Sequence, residues 1–175
     1  SMRSALQNFL YTAADFSNRN RIPGFVSASG LPEGDYVGKV GIPAVKETAD
    51  LVVFNVGSIY ALASAYVLNP GLVTSWLKAI YNQYSGLAGP LGFVDSLRSF
   101  TEFSETAFSI DQGATVLGLL GGGGEMMDRY LSTRMLDAVY NGLYDRLNLG
   151  IAPVPVNLAP AGPPSEFAER SFEVI

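Results

Sequence analysis

The sequence lacks both cysteine and histidine. This absence excludes thiolate nucleophiles, Cys/His zinc sites, Ser-His-Asp triads and histidine acid-base catalysis. Any chemistry must come from Asp, Glu, Tyr, Lys, Arg or a hydroxyl group. The acidic residues Glu33, Asp35 and Asp50 are too dispersed for a calcium loop, so we expect neither a metal nor a cofactor. The lack of cysteine leaves the redox compartment open.

Positive charge is also scarce. The 175 residues include 11 Lys and Arg against 16 Asp and Glu, which gives a formal net charge of −5 without a basic run. A surface that binds phosphate groups is therefore not expected, and nucleic acid is excluded as a partner. Because 48% of the residues are hydrophobic, the chain is long and apolar enough to fold around a core.

One long segment carries no charge, from Leu51 to Leu77. Its length would suffice to cross a bilayer, but asparagine and serine residues interrupt it and Asn69-Pro70 breaks the helical pattern. We therefore predict a helix that is buried on most sides rather than a membrane span.

Helical periodicity dominates the rest of the chain. It predicts helices at about residues 3–16, 46–68, 70–84, 111–120 and 125–147, and no strand ladder is evident. Nearly uncharged helices alternate with amphipathic ones, as in a double ring with inner and outer helices or a bundle around a buried helix. The expected fold is all-α, a helical domain over residues 1–149. The proline-rich residues 150–175 are expected to form an extended tail.

Two glycine-rich loops interrupt the helices. Residues 17–44 include eight glycines and prolines, and long irregular segments of this kind are usually functional. This loop contains "GFVSASGLPEGDY", the second contains "GPLGFVDS", and "SIDQG" follows at residues 109–113.

In this order, the three motifs resemble those of the bacterial glucoamylase-like family, which includes endo-β-1,2-glucanases. The resemblance covers about residues 20–125 and implies the C-terminal half of an (α/α) toroid of helical hairpins with long functional loops. Leu91 and Val94 stand where the family has aromatic residues, and "LGLLGGGG" replaces a polar segment. A full toroid needs about twice this length, so either a missing N-terminal half or a second copy would complete it.

The motifs contain six candidate substrate-binding residues. Two aromatic rings could stack on pyranose rings, and four polar side chains could hydrogen-bond sugar hydroxyls: Phe25, Ser27, Tyr36, Asp95, Asp111 and Gln112. Structural roles are open for several of these residues. Asp111 could cap a helix, Gln112 could be a first-turn surface residue, Asp95 could initiate a helix through Ser96, and the aromatic residues could anchor a loop in the core.

No catalytic residue can be assigned from these motifs. A glycosidase needs two carboxyl groups at a defined separation, and sequence spacing does not supply that distance. Glu102 and Glu105 could be general acids or ordinary surface residues.

The resemblance implies a carbohydrate-active domain that binds or acts on a β-glucan-type polysaccharide, as a glycoside hydrolase fragment or subunit. The alternative is a non-catalytic helical scaffold or glycan-binding module. A periplasmic or secreted location is favoured over a cytoplasmic one.

Overall fold

The computed structural model describes residues 2–43, 53, 55–150 and 159–167. Six α-helices form most of it, and short 3₁₀ turns at Ala65–Val67 and Ser85–Leu87 extend the loops. The helices are α1 Met2–Asn20, α2 Ile59–Ser64, α3 Pro70–Gln83, α4 Ser109–Leu119, α5 Gly124–Thr133 and α6 Asp137–Gly150.

Seven two-residue strands connect the loops within the described residues. They are β1 Phe25–Val26, β2 Ser29–Gly30, β3 Tyr36–Val37, β4 Gly57–Ser58, β5 Ala88–Gly89, β6 Gly92–Phe93 and β7 Ser96–Leu97. β1, β4 and β7 form one antiparallel sheet, while β2–β3 and β5–β6 are separate antiparallel pairs.

The prediction of an all-α fold made only of helical hairpins is therefore wrong. The glycine-rich loops contribute backbone N–H and C=O groups that must find partners where the loops are buried. They find them in one another, through strands too short to leave a period-two pattern in the sequence.

The helix predictions differ in accuracy. α3 begins as predicted, since the Asn69 side chain accepts a hydrogen bond from the Leu72 N–H (3.1 Å) and Pro70 takes the first helical position. Within the described residues, the helix predicted at 46–68 begins at Ile59, after β4, and residues 46–52 and 54 of that prediction lie outside the described residues. The helix predicted at 125–147 is two helices, separated at Met135, where φ is +55°.

The core is centred on Trp76 of α3, whose side chain is completely buried. Phe25 packs edge-on against it with ring centroids 5.4 Å apart. Leu62 of α2 and Leu97 of β7 are also fully buried in this cluster. α4 lies directly on α2, because Gly118 has no side chain to keep it from the backbone of Ala63.

The described part of the C-terminal segment, residues 159–167, contacts this core. Trp76 Nε1 donates a hydrogen bond to the Ala161 carbonyl (3.1 Å), and the Phe167 ring lies 6.1 Å from that of Trp76. Phe167 is only 4% exposed. Residues 151–158 and 168–175 lie outside the described residues, and the division of the chain at residue 150 stays a prediction.

Many apolar side chains on α4, α5 and α6 are exposed. They include Ile110, Val116, Leu120, Met126, Met127, Tyr130, Val139, Tyr140, Leu143 and Tyr144. Among the described helices, none combines the length and apolar character needed to cross a membrane.

Candidate functional site

The β1–β4–β7 sheet brings together the loops that carry the first two sequence motifs, while the third motif forms the first turn of α4. Phe25 lies opposite Ser58, and Ser58 lies opposite Ser96. Asp95 directly precedes β7, so its position is set by the pairing of β7 with β4. β4 in turn pairs with β1 of the first loop. This arrangement could be predicted only as a general clustering of loops, because the strands that produce it are too short to recognise.

Asp95 is held by the backbone of the first loop. Its carboxyl group is buried, with 2% of the residue exposed, and its Oδ2 accepts a hydrogen bond from the Gly30 N–H at 2.6 Å. The neighbouring Ser96 hydroxyl donates to the Gly30 carbonyl oxygen. A methyl group on Gly30 would lie 2.7 Å from Cε2 of Phe108 and 2.8 Å from Oγ of Ser104. This close approach explains why a glycine suits the position.

Asp111 approaches Asp95 from the first turn of α4. It is the third residue of that helix, 4% exposed, and therefore not the helix cap; the cap position is Phe108, whose side chain makes no capping hydrogen bond. An acidic residue is favourable in a first helical turn because of the helix dipole. Within the described residues, the two aspartates of the predicted site thus meet each other.

The two carboxyl groups lie within hydrogen-bonding reach of each other. Burial, followed by the hydrogen bond to Asp111, raises the pKa of Asp95 to about 7, although the Gly30 N–H acts in the opposite direction. Oδ1 of Asp95 and Oδ2 of Asp111 are buried without another hydrogen-bond donor. One proton shared between the carboxyl groups would satisfy both oxygens, as in other close carboxyl pairs.

This contact also limits the chemistry of the pair. A retaining glycosidase needs its two carboxyl groups about 5–5.5 Å apart, and an inverting one about 6.5–9.5 Å apart, with the sugar between them. Two carboxyl groups that share a hydrogen bond leave no room for a glycosidic bond. A pair at hydrogen-bonding range does not match the spacing of the two carboxyl groups in a glycosidase.

Two tyrosines adjoin the carboxyl pair. Tyr36 lies opposite Gly30 in the β2–β3 register, packs edge-on against Phe108 (4.9 Å between centroids), and is 47% exposed. Partial burial, and then the charges of Asp111 and Asp95, raise the pKa of Tyr36. Tyr36 is the predicted site residue that presents an aromatic ring to solvent beside the pair.

The second tyrosine, Tyr60, was missed by the sequence reasoning. Its hydroxyl donates to the Ala28 carbonyl oxygen at 2.6 Å and lies 2.8 Å from the hydroxyl of the candidate residue Ser27. Burial is the main cause that raises the pKa of Tyr60. Tyr60 lies in the uncharged segment that was interpreted as a buried helix, and no local pattern distinguished it from core residues.

The two remaining candidates have structural contacts. Phe25 is 4% exposed and packs on Trp76, so its ring has no free face for a sugar. Gln112 holds Phe93 in place at both backbone groups: its Oε1 accepts from the Phe93 N–H (3.1 Å), and its Nε2 donates to the Phe93 carbonyl (2.8 Å). These contacts connect the second loop to α4, beside Asp111.

The part of the chain that the structure describes contains no group of three acidic side chains arranged to hold a metal ion. The site therefore consists of an exposed aromatic ring, two buried carboxyl groups and a network of hydroxyl and backbone groups.

Neither a family model nor a curated protein matches this chain. Two solved structures of the endo-beta-1,2-glucanase from Talaromyces funiculosus match its fold, one in complex with sophorose and one a mutant with beta-1,2-glucan. Each match has a TM-score of 0.75 and 17% sequence identity, and covers 95% of this chain and 35% of the glucanase chain. The chain thus has a fold related to part of that glucanase and spans about a third of its length.

Proposed function

We propose that this chain is a carbohydrate-active domain that binds a β-glucan-type polysaccharide, with β-1,2-linked glucan as its first candidate ligand. The observation that carries the proposal is the exposed Tyr36 ring beside the buried Asp95–Asp111 pair. Its loops belong to a fold related to that of a β-1,2-glucanase, which supports this choice of ligand. The proposed relationship is to the C-terminal half of the glucoamylase-like family.

In this proposal the residues have different roles. The apolar face of a pyranose stacks on Tyr36, while Ser27, Tyr60 and the carboxyl pair hold the loops beneath it in one arrangement. Gln112 contributes indirectly, by holding the second loop through Phe93.

Hydrolysis needs carboxyl groups farther apart than this pair. We therefore propose binding as the function of this chain, and glycoside hydrolysis as an activity of a larger glucanase-like assembly. The nearly complete burial of Asp95 and Asp111 favours the second candidate function, a non-catalytic glycan-binding module or scaffold.

Binding is tested by titrating the protein with sophorose and longer β-1,2-linked gluco-oligosaccharides in a calorimeter. Removing the ring with Tyr36→Ala should weaken binding by about tenfold, since aromatic stacking contributes on the order of 1 kcal/mol beyond area burial. Tyr130→Ala is the matched control, because Tyr130 is similarly exposed (55%) but lies on α5. Equal affinities for the two variants and the wild type would contradict the assignment of Tyr36.

The partner proposals concern the exposed apolar side chains of α4, α5 and α6. A second copy of the chain and an N-terminal half of a glucanase-like protein are the two proposed partners. Sedimentation of the 175-residue chain separates them, because a stable dimer supports the second copy and a monomer at all concentrations argues against it. A periplasmic or secreted location is also proposed, and cell fractionation tests it.

A further inference from the structure

The hairpin that carries Tyr36 is small and has few anchors. β2 and β3 contribute two residues each, and a two-stranded hairpin on its own is marginally stable in water. The two strands are joined through a β-turn, in which the Gly34 N–H donates to the Leu31 carbonyl oxygen at 2.9 Å and Glu33 takes the third position. At the base of the hairpin, the carboxyl pair accepts from the Gly30 N–H. The orientation of the exposed ring therefore depends on what holds the turn.

A buried arginine holds this turn from a distant part of the chain. Arg98 directly follows β7 and is 5% exposed, and its Nη1 donates to Oε1 of Glu33 at 2.6 Å. The same nitrogen donates to Oε2 of Glu102 at 3.1 Å, four residues along its own segment. The bond to Glu33 is the one of the two that joins separate segments, since 65 residues lie between its partners. The Arg98–Glu33 pair thus connects the turn of the Tyr36 hairpin to the β1–β4–β7 sheet.

The other ion pairs among the described residues are of a different kind. The pairs on α1 and α5 each join two side chains four residues apart in one helix, and these side chains are exposed. Exposed pairs of this kind contribute little to stability. The side chain of Arg98 is buried instead, so its contacts are less screened by salt. Within the described part of the chain, this is the ion pair placed to fix one loop against another.

Burying Arg98 costs stability, and its contacts offset this cost only in part. Its Nε and Nη2 are buried without a hydrogen-bond partner among the described residues, and a buried donor that stays unpaired is unfavourable. Apolar residues of similar volume often hold two segments together as well as a buried ion pair does. A charge-assisted hydrogen bond differs from apolar packing in that it has a defined length and direction. The position therefore favours a role in orientation over a role in stability.

We infer that Arg98 is a positioning residue for sugar binding: by holding Glu33, it keeps the β2–β3 hairpin in the orientation in which the Tyr36 ring accepts a pyranose. The inference rests on the proposed glucan-binding function. The sugar contacts neither Arg98 nor Glu33. When the bond between them is lost, the turn gains other orientations, and the affinity falls in proportion to the fraction of molecules in which the ring is in place.

A double-mutant cycle between Glu33→Ala and Tyr36→Ala tests the inference. Glu33 lies on the surface, and its removal leaves Arg98 paired with Glu102. Affinities for β-1,2-linked gluco-oligosaccharides are measured by calorimetry. Glu33→Ala should weaken binding about fivefold when Tyr36 is present, and by less than about twofold when residue 36 is already alanine. A direct contact between Glu33 and the sugar would instead weaken binding by the same factor in both backgrounds.

Glu102→Ala is the matched control. It also removes one carboxylate from Arg98, so a general loss of stability is common to the two variants, but it leaves the turn bonded. Its affinity for the sugar should stay within about twofold of the wild type. Amide exchange gives a second readout that needs no sugar. Glu33→Ala should speed exchange at the Leu31 N–H, which donates to the Asp35 carbonyl oxygen within the hairpin (2.7 Å), and Glu102→Ala should not.

The outcomes separate this inference from the proposed function. If the wild type binds glucan and Tyr36→Ala weakens binding, but Glu33→Ala binds like Glu102→Ala, the positioning role is wrong and the function stands. The same factor for Glu33→Ala in both backgrounds would also refute the positioning role. Failure of the wild type to bind any β-1,2-linked oligosaccharide overturns both.

Discussion

Replacing Asp111 with asparagine should change how the stability of the protein depends on pH. In the folded protein the pKa of Asp95 is raised from 3.8 to about 7. The folded state therefore holds a proton that the unfolded chain has lost between these pH values. The stabilisation that comes from this proton is fully present below the ordinary pKa of Asp95 and is lost as the pH rises to about 7. The pKa differs by about 3 units between the two states, at about 1.4 kcal/mol per unit. The pair can therefore contribute on the order of 4 kcal/mol to the unfolding free energy at low pH, as an upper limit.

Asparagine at residue 111 removes the negative charge and offers an amide donor to Asp95. Both changes favour the ionised form of Asp95, so its pKa should fall and the variant should lose less stability as the pH rises. Relative to the wild type, we expect Asp111→Asn to gain about 1–3 kcal/mol in unfolding free energy between about pH 4 and pH 8. Contributions from other groups, including the Glu33 carboxylate beside Arg98, are common to both proteins and cancel.

The measurement is urea unfolding at a series of pH values. Trp76, the only tryptophan, is completely buried and provides the fluorescence signal. Asp128→Asn is the control, because Asp128 is exposed on α5. If the curves of unfolding free energy against pH for Asp111→Asn and the wild type are parallel, the two carboxyl groups do not share a proton and the interpretation of the site is wrong.

Three other substitutions test the contacts around the site. Gly30→Ala should lower the unfolding free energy by about 1–3 kcal/mol through overpacking. Gly113→Ala, with open space around it, should not destabilise α4. Equal effects of the two substitutions in urea unfolding would contradict the close approach at Gly30. Gln112→Ala should lower the unfolding free energy by about 1–3 kcal/mol, because the partly buried backbone groups of Phe93 lose their partners. Faster amide exchange at Phe93 would report this loss, and unchanged exchange would argue against the contact. Phe167→Ala should lower the unfolding free energy by about 3–5 kcal/mol, because a buried aromatic side chain is removed from the core. A loss below about 1 kcal/mol would show that the C-terminal segment contributes little to the core.

The helices could largely be predicted from the sequence, and the reasons are local. The cap at Asn69, the proline at residue 70 and the apolar spacing through Ile80 determine α3 without reference to the rest of the chain. The break at Met135 could not be predicted, since the apolar period continues across it. The strands could not be predicted for a different reason: each contains two residues, and the partners in the β1–β4–β7 sheet are far apart in sequence.

Part of the arrangement of the candidate site could be predicted, while the substrate-binding roles of its residues stay predictions. The motifs indicated that Asp95, Asp111 and Tyr36 belong to loops with a shared function, and the structure brings these three residues together. The burial of the two aspartates could not be predicted from the sequence, and neither could the position of Tyr60. The role of Arg98 could not be predicted either, because its partner Glu33 is distant in the chain and Glu102, four residues away, lies in a segment without a helix.

The buried carboxyl pair costs stability once the pH exceeds the raised pKa of Asp95. Apolar residues of similar volume often stabilise a buried position as well as charged pairs do, or better, and the raised pKa of Asp95 shows that burial works against its ionised form. The carboxyl pair lies at the junction of the loops, beside the exposed Tyr36 ring, and not in the core around Trp76. A titrating pair at a ligand-facing junction is typical of functional sites. In the proposed function, this pair fixes the loops that would contact the sugar, because its carboxyl groups do not have the spacing that flanks a glycosidic bond.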